Sequence, residues 1–227
     1  QGTLWLGTYF GGVNYFNPEY EIYTRYSYSS NEKKGLSNPV VGRTIEDKDG
    51  NLWIGTEGGG LNYYNRRTRE FKWYRPQEGR NSISHNNVKA LYYDADKEII
   101  WIGTHLGGLN KLDIRSGHFT HYRMEEGNPA TLPSDIIRDI IPYKSLLIVA
   151  TQNGVCLFDP ANGQCQQLFK DSKEGKSIKM VADVTFDSEG TLWIAATGEG
   201  VFSYRFNTCK LTNYRHDATN PNSLSNN

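Results

Sequence analysis

"GNLWIGTEGGGLNYYN", residues 50–65, is one copy of a phrase that this chain writes repeatedly. "GTLWLGTYFGGVNYFN" starts at Gly2, "EIIWIGTHLGGLNKLD" at Glu98 and "GTLWIAATGEGVFSYR" at Gly190. A weaker copy, "SLLIVATQNGVCLFD", runs from Ser145 to Asp159. The threonine closing each copy falls at Thr8, Thr56, Thr104, Thr151 and Thr197, in steps of 48, 48, 47 and 46 residues. Periods of that size belong to radial β-repeats.

Each period divides into four short β-like runs. The first half-alternates and usually ends in Asp, as in "VVGRTIED", "VKALYYD" and "VADVTFD". A tight turn such as "DKDGN" or "DSEGT" follows, where Gly or Asp takes positive φ at low cost. The "LWIGT" run is apolar on both faces and so needs cover on both sides. A glycine-rich turn leads to "GLNYYN" or "GVCLFD", and a polar turn leads to a fourth, more polar run such as "EFKWYR". Four antiparallel strands repeated radially make an all-β fold, a β-propeller. Its repeat units are expected at roughly 1–39, 40–87, 88–135, 136–180 and 181–227, with no second domain. Trp5, Trp53, Trp101 and Trp193 hold one position of the repeat, with Ile148 in the fourth copy; Gly7, Gly55 and Gly103 hold another. Both recurrences read as architecture, the tryptophans filling the gaps between blades. The chain contains five copies of strands two to four but four of strand one, so a partial propeller is expected, an open arc or poorly closed ring with exposed strand edges.

The pattern D-x-x-G-N-L-W-I-G-T-x-x-G-G-L-x-x-[YF]-[ND], followed by F-x-x-Y and then S-L-S-x-N, resembles the two-component regulator propeller repeat. The resemblance runs along the whole chain and weakens in the fourth unit, which lacks the Trp and the second Gly. It implies the periplasmic sensor region of a membrane-bound histidine kinase, often a hybrid kinase, of a kind that switches on glycan-utilisation genes. It also implies a homodimeric parent receptor anchored in the inner membrane.

Composition narrows the function. Lys plus Arg and Asp plus Glu each total 25, so no basic surface for nucleic acid is expected. Even the longest apolar runs, such as Leu146 to Ala150, are far short of the about 20 residues a spanning helix needs, so no membrane contact is expected of this segment. Cys156, Cys165 and Cys209 fit neither metal-ligand spacing nor a disulfide framework, and are expected as small packing residues. No G-x-S-x-G and no H-E-x-x-H occurs, and "DKDGN" departs from the calcium-loop pattern. No cofactor, metal or catalytic residue is assigned.

Binding is expected where the copies differ. Alternating strand direction places the turns after strand two, and the links between blades, at one end, and variable loops on a rigid scaffold are where binding concentrates. Tyr9 and Phe10 offer aromatic faces suited to sugars. Glu57, His105, Gln152, Asn153 and Glu199 occupy comparable turn positions, and His85, Asn86, Asn87 and Asp135 come from the links; all can bond hydroxyl groups. The expected ligand is an oligosaccharide. Two other readings stay open at this point: a carbohydrate-active propeller enzyme, in which Glu57, His105 and Glu199 would converge, and a dimerisation scaffold without a ligand.

Overall fold

The computed structural model describes residues 4–8, 12–17, 22–172 and 175–227. The chain divides into two compact units, residues 1–121 and 122–227. The first holds three antiparallel sheets. These are β1 (Leu4–Thr8), β2 (Gly12–Asn17) and β3 (Ile22–Tyr26); β4 (Val41–Glu46), β5 (Leu52–Thr56), β6 (Gly60–Asn65) and β7 (Glu70–Tyr74); and β8 (Val88–Asp94), β9 (Ile99–Thr104), β10 (Leu109–Asp113) and β11 (His118–Tyr122). The second holds two: β12 (Ile137–Tyr143), β13 (Leu146–Thr151), β14 (Gly154–Phe158) and β15 (Cys165–Gln167); and β16 (Val181–Phe186), β17 (Leu192–Ala196), β18 (Gly200–Arg205) and β19 (Lys210–Tyr214). Within each sheet the strands lie in chain order, each paired with the next. Helix is confined, among the described residues, to two short 3-10 turns at Glu32–Lys34 and Gly175–Ser177.

The second strand is the most buried one in the second, third and fourth sheets. Every residue of β5 and of β9 is buried, and all but the first of β13. β1 has no buried residue, and β17 alternates buried with half-buried ones. The fourth strand is the most exposed, with single buried anchors at Phe71 and Phe119. Each described first strand carries an irregularity beside its opening residue, at Val41/Thr44, Val88/Ala90, Ile137/Asp139 and Val181/Asp183. A bulge at that point increases local twist and re-aims the extra residue, here Lys89 or Arg138 in the middle sheets.

Trp5 and Trp53 fill inter-sheet space as the repeat implies. Trp53 of β5 is 2% exposed and packs with Val88, Leu91, Ile100 and Ile102 of the next sheet. Trp5 packs against the cluster that includes Leu52, Ile54, Tyr64 and Phe71. Ile148, which replaces Trp in the fourth copy, meets Val181, Val184 and Ile194 in the second unit.

An aspartate sets the turn before these strands. The Asp47 carboxylate accepts from the backbone N–H of Asp49 (3.0 Å) and Asn51 (2.9 Å) and from the Trp53 indole N–H (3.1 Å). Asp187 repeats the device with Glu189 (3.0 Å), Thr191 (2.9 Å) and Trp193 (2.8 Å). The Trp193 indole hydrogen bond, followed by the Thr191 N–H, holds the Asp187 carboxyl below its usual range. A second staple ties neighbouring sheets of the first unit: Glu98 pairs with both Lys48 and Arg115, and the Lys48 bond, then the Arg115 bond, lowers its pKa.

One expectation is corrected. Cys156 and Cys165 form a disulfide, with Cα atoms 5.9 Å apart, while Cys209 is free and exposed. The β14–β15 hairpin places Phe158 opposite Cys165 and Cys156 opposite Gln167, which brings the two cysteines of one ladder within bridging distance.

Asp47→Ala removes charge-assisted bonds to two backbone amides and an indole. It should cost about 2 kcal/mol, read as a fall of roughly 4–8 °C in Tm. Because Asp187 and Glu98 titrate lower in the folded chain than unfolded, their stabilisation is complete above the unfolded carboxylate pKa of about 4. It is lost as pH falls through the depressed folded values. Chemical unfolding should therefore show stability declining in acid below about pH 4, less steeply in Asp187→Asn. Thiol titration of denatured, unreduced protein should find the Cys209 thiol and gain the other two on reduction.

Candidate functional site

The end of the first unit formed by the links and the turns after strand two is built by buried polar contacts. Asn62 and Asn110, both fully buried, accept through Oδ1 from the link amides of Ser37 (2.8 Å) and Ser84 (2.9 Å). Asn110 Nδ2 also donates to Ser84 Oγ at 2.8 Å. Thr56 and Thr104 donate through their hydroxyls to the carbonyls of Gly60 and Gly108, both at 2.9 Å. The paired glycines follow from this closeness. A Cβ on Gly59 would lie 2.2 Å from Ser37 Oγ, and one on Gly60, at φ +79°, would lie 2.2 Å from the Tyr74 carbonyl. The fourth copy has Pro133 where Ser37 and Ser84 stand, and its turn is one residue shorter: Thr151 Oγ1 bonds Gly154, three residues on.

On this frame the link and turn backbones lock together. Glu57 N–H donates to Val40 (3.0 Å), Gly58 and Gly60 to Asn86 (3.2 and 2.7 Å), and His105 to Asn87 (2.9 Å). Glu57 and Asn87 form an isolated β-bridge. The first unit thus brings Glu57, His85, Asn86, Asn87 and His105 onto one rim. His85 Nδ1 accepts from Asn87 N–H at 3.1 Å, the part played by Asn38 Oδ1 for Val40 and by Ser134 Oγ for Ile136. That bond places the imidazole proton on Nε2. Glu57 is paired with Lys89 from the bulge of β8. His105 Nδ1 is buried without a hydrogen-bond partner.

The second unit places its candidates differently. Gln152 N–H donates to Ile136 (3.0 Å) and its carbonyl accepts from Met180 (2.7 Å). Asn153 N–H bonds Thr151 Oγ1 (3.2 Å) and its carbonyl accepts from Gln167 (3.3 Å). Asp135 caps its own loop, accepting from Met124 N–H at 2.8 Å and pairing with Arg123 at 3.7 Å. Glu199 pairs with Arg215 at 2.9 Å. Glu57 and Glu199 are each engaged by a cation of their own unit. Tyr9 and Phe10 lie outside the described residues. No group of three or more His, Cys, Asp or Glu among the described residues is placed to hold a metal.

The repeat pattern did not point to two further concavities, one in each unit. One, of about 480 Å³, sits between the first two sheets, lined by Trp5, Tyr15, Tyr26, Tyr64 and Phe71. Arg66 stands 5.3 Å over the Trp5 ring. Burial, then the 3.2 Å hydrogen bond to Tyr64, raises the Tyr26 phenol pKa. The other, of about 530 Å³, lies in the second unit at the turns after strands one and three.

Residues 35–58 and 82–105 match the family model described as two component regulator propeller. These segments are two-component regulator propeller repeats. Each spans a link, a first strand, the Asp turn or its counterpart, and the buried second strand, and ends in the turn carrying Glu57 or His105. The fold is that of solved propeller-containing structures. Over 95% of its length the chain resembles the extracellular domain of a hybrid two-component system of B. thetaiotaomicron, BT3049 (TM-score 0.76, 24% identity). Over 96% it resembles that of BT4673, a one component system of the same organism (TM-score 0.76, 24% identity). Over 89% it resembles PorZ, a surface component of the type-IX secretion system of Porphyromonas gingivalis (TM-score 0.67, 19% identity). The chain spans about 30% of the length of each of these structures. A search of the curated proteins finds no match. Among the described residues no helix is long and apolar enough to cross a membrane.

Asn110→Ala leaves the Ser84 amide without its buried acceptor, which costs about 1–3 kcal/mol. Amide exchange should accelerate first in residues 84–88, the link that carries His85, Asn86 and Asn87.

Proposed function

We propose that this chain is part of the extracytoplasmic sensor region of a two-component receptor, most simply a hybrid histidine kinase, and that its propeller binds an oligosaccharide. The observation that carries the reading is the first-unit rim. Side chains that vary from repeat to repeat, Glu57, His85, Asn86 and His105, stand on a backbone locked by repeated hydrogen bonds. A rigid polar edge of this kind offers donors and acceptors at fixed spacing without an ordering cost. The family of the repeats and the extracellular relatives support the placement outside the cytoplasm, in the periplasm. The Cys156–Cys165 disulfide supports it independently, since disulfides persist in oxidising compartments.

The chain itself carries no chemistry in this reading. Binding acts through differential affinity for two arrangements of paired ectodomains, which membrane helices of the parent report to its kinase. Control of polysaccharide utilisation is the output, and a homodimer of the parent is the working unit.

Thermal unfolding of the complete parent ectodomain against a panel of plant and host oligosaccharides tests this. A ligand at one hundred times its dissociation constant stabilises by about 2.7 kcal/mol, a shift of several degrees. One glycan class should produce it, and His105→Ala should reduce it. Product formation from a glycan would replace this reading with an enzymatic one. Neither shift nor turnover would leave a dimerisation scaffold.

A further inference from the structure

The groove of the second unit is where two copies abandon the repeat together. In the second and fifth sheets the first turn is the Asp47 or Asp187 clamp. In the fourth sheet Tyr143 pairs directly with Leu146 across a tight turn with Lys144 at φ +56°, and neither the clamp nor its Trp is present. In the second, third and fourth sheets the third strand leads into a capping Asn or Asp. Asn65 accepts from Arg67 and Thr68 (3.0 and 2.9 Å), Asp113 from Ser116 (2.8 Å), and Asp159 from Ala161 (2.8 Å). In the fifth sheet that position is Arg205, followed by Phe206.

Both departures line one concavity of about 530 Å³, with Tyr143, Lys144, Glu189, Arg205, Phe206 and Asn207 around it. That volume falls within the about 300–1,000 Å³ of small-molecule sites. Tyr143 stacks on Phe206 (centroids 4.3 Å, 20°) and on Phe186 (5.5 Å, 18°). Lys144 Nζ lies 5.3 Å from the Tyr143 ring centroid. Glu189 meets the Arg205 guanidinium through Nη2 at 3.5 Å. Two cations against one carboxylate leave the groove with one net positive charge beside an aromatic wall.

We propose that this groove binds the carboxylate-bearing ring of an acidic sugar, a uronic acid residue of an oligosaccharide. The aromatic wall suits an apolar ring face, and the planar guanidinium fork of Arg205 matches a carboxylate. Lys144 supplies a second cation. The choice of a sugar rests on the sensor reading; the choice of an acidic one rests on Lys144 and Arg205.

The test is titration calorimetry of the complete ectodomain with trigalacturonate and with its methyl ester, which keeps the rings and removes the charge. Trigalacturonate should bind, more weakly as salt rises, and the ester at least about tenfold more weakly. Arg205→Asn restores the residue type that caps this turn in other copies, so it should leave Tm unchanged while weakening trigalacturonate about tenfold or more. Lys144→Ser should weaken it by less. Equal binding of acid and ester, acid binding untouched by Arg205→Asn, or no binding of trigalacturonate would each overturn the proposal. If neutral glycans shift the unfolding temperature while trigalacturonate does not bind, the sensor reading stands and this one falls. If trigalacturonate binds through Arg205 but leaves the parent kinase unchanged, the groove stands and the sensor reading falls.

Discussion

The structure depends on a strand that is apolar on both faces. Burying an indole such as Trp53 removes about 200 Å² from water, roughly 5 kcal/mol at 25 cal/mol/Å². That is comparable with the whole net stability of many domains. One four-stranded sheet cannot collect it, because β5 is buried at every position and needs a neighbour on each face. In the first unit Trp53 is covered by Val88, Leu91 and Ile100 of the next sheet, and in the second Ile148 is covered by Val181 and Ile194. Cooperation between sheets thus follows from the second strand alone. The Asp turn makes it reproducible, since one carboxylate fixes both the hairpin and the indole through Asp47 or Asp187.

Satisfying the backbone at the other end of the strands requires a different device. The glycine turn after strand two closes on the hydroxyl of the threonine that precedes it, Thr56 onto Gly60 and Thr104 onto Gly108. Beside it Asn62 and Asn110 accept from the link amides of Ser37 and Ser84, so the link is held to the same end of the strands. The S-L-S, L-N and G-T-x-x-G-G elements of the phrase are therefore one buried network read at three places. The network holds its rim still while leaving the side chains of Glu57, His85, Asn86 and His105 at liberty to differ, which is the property a recognition surface needs.

The fold was legible because its signal is periodic and redundant. Period, turn residues and the doubly apolar strand repeat about every 47 residues, so the degenerate fourth copy could not obscure them. The first-unit rim was legible for the same reason, since alternating strands determine which turns share an end. The disulfide was not. Cys156 and Cys165 stand nine residues apart, and only the register of a three-residue fourth strand brings them together. Local capping was also invisible: His85 reads as a candidate ligand-binding histidine, whereas its Nδ1 does the work that Asn38 and Ser134 do in other links.

Reading the repeats for what they share finds the scaffold, and reading them for what one copy abandons finds something else. Loss of the Asp turn and Trp in the fourth copy is, by itself, ordinary decay, because Ile148 still packs with the next sheet. Arg205 in place of a capping Asn or Asp is, by itself, one exposed charge. Their coincidence is what carries weight. The two changes occur in adjacent sheets, at the same end, and line one concavity with stacked rings and an excess of positive charge. Decay has no reason to be complementary across two copies. A cap exchanged for a guanidinium also forgoes backbone hydrogen bonds, and the exposed Glu189–Arg205 pair that stands in their place is worth little to a scaffold.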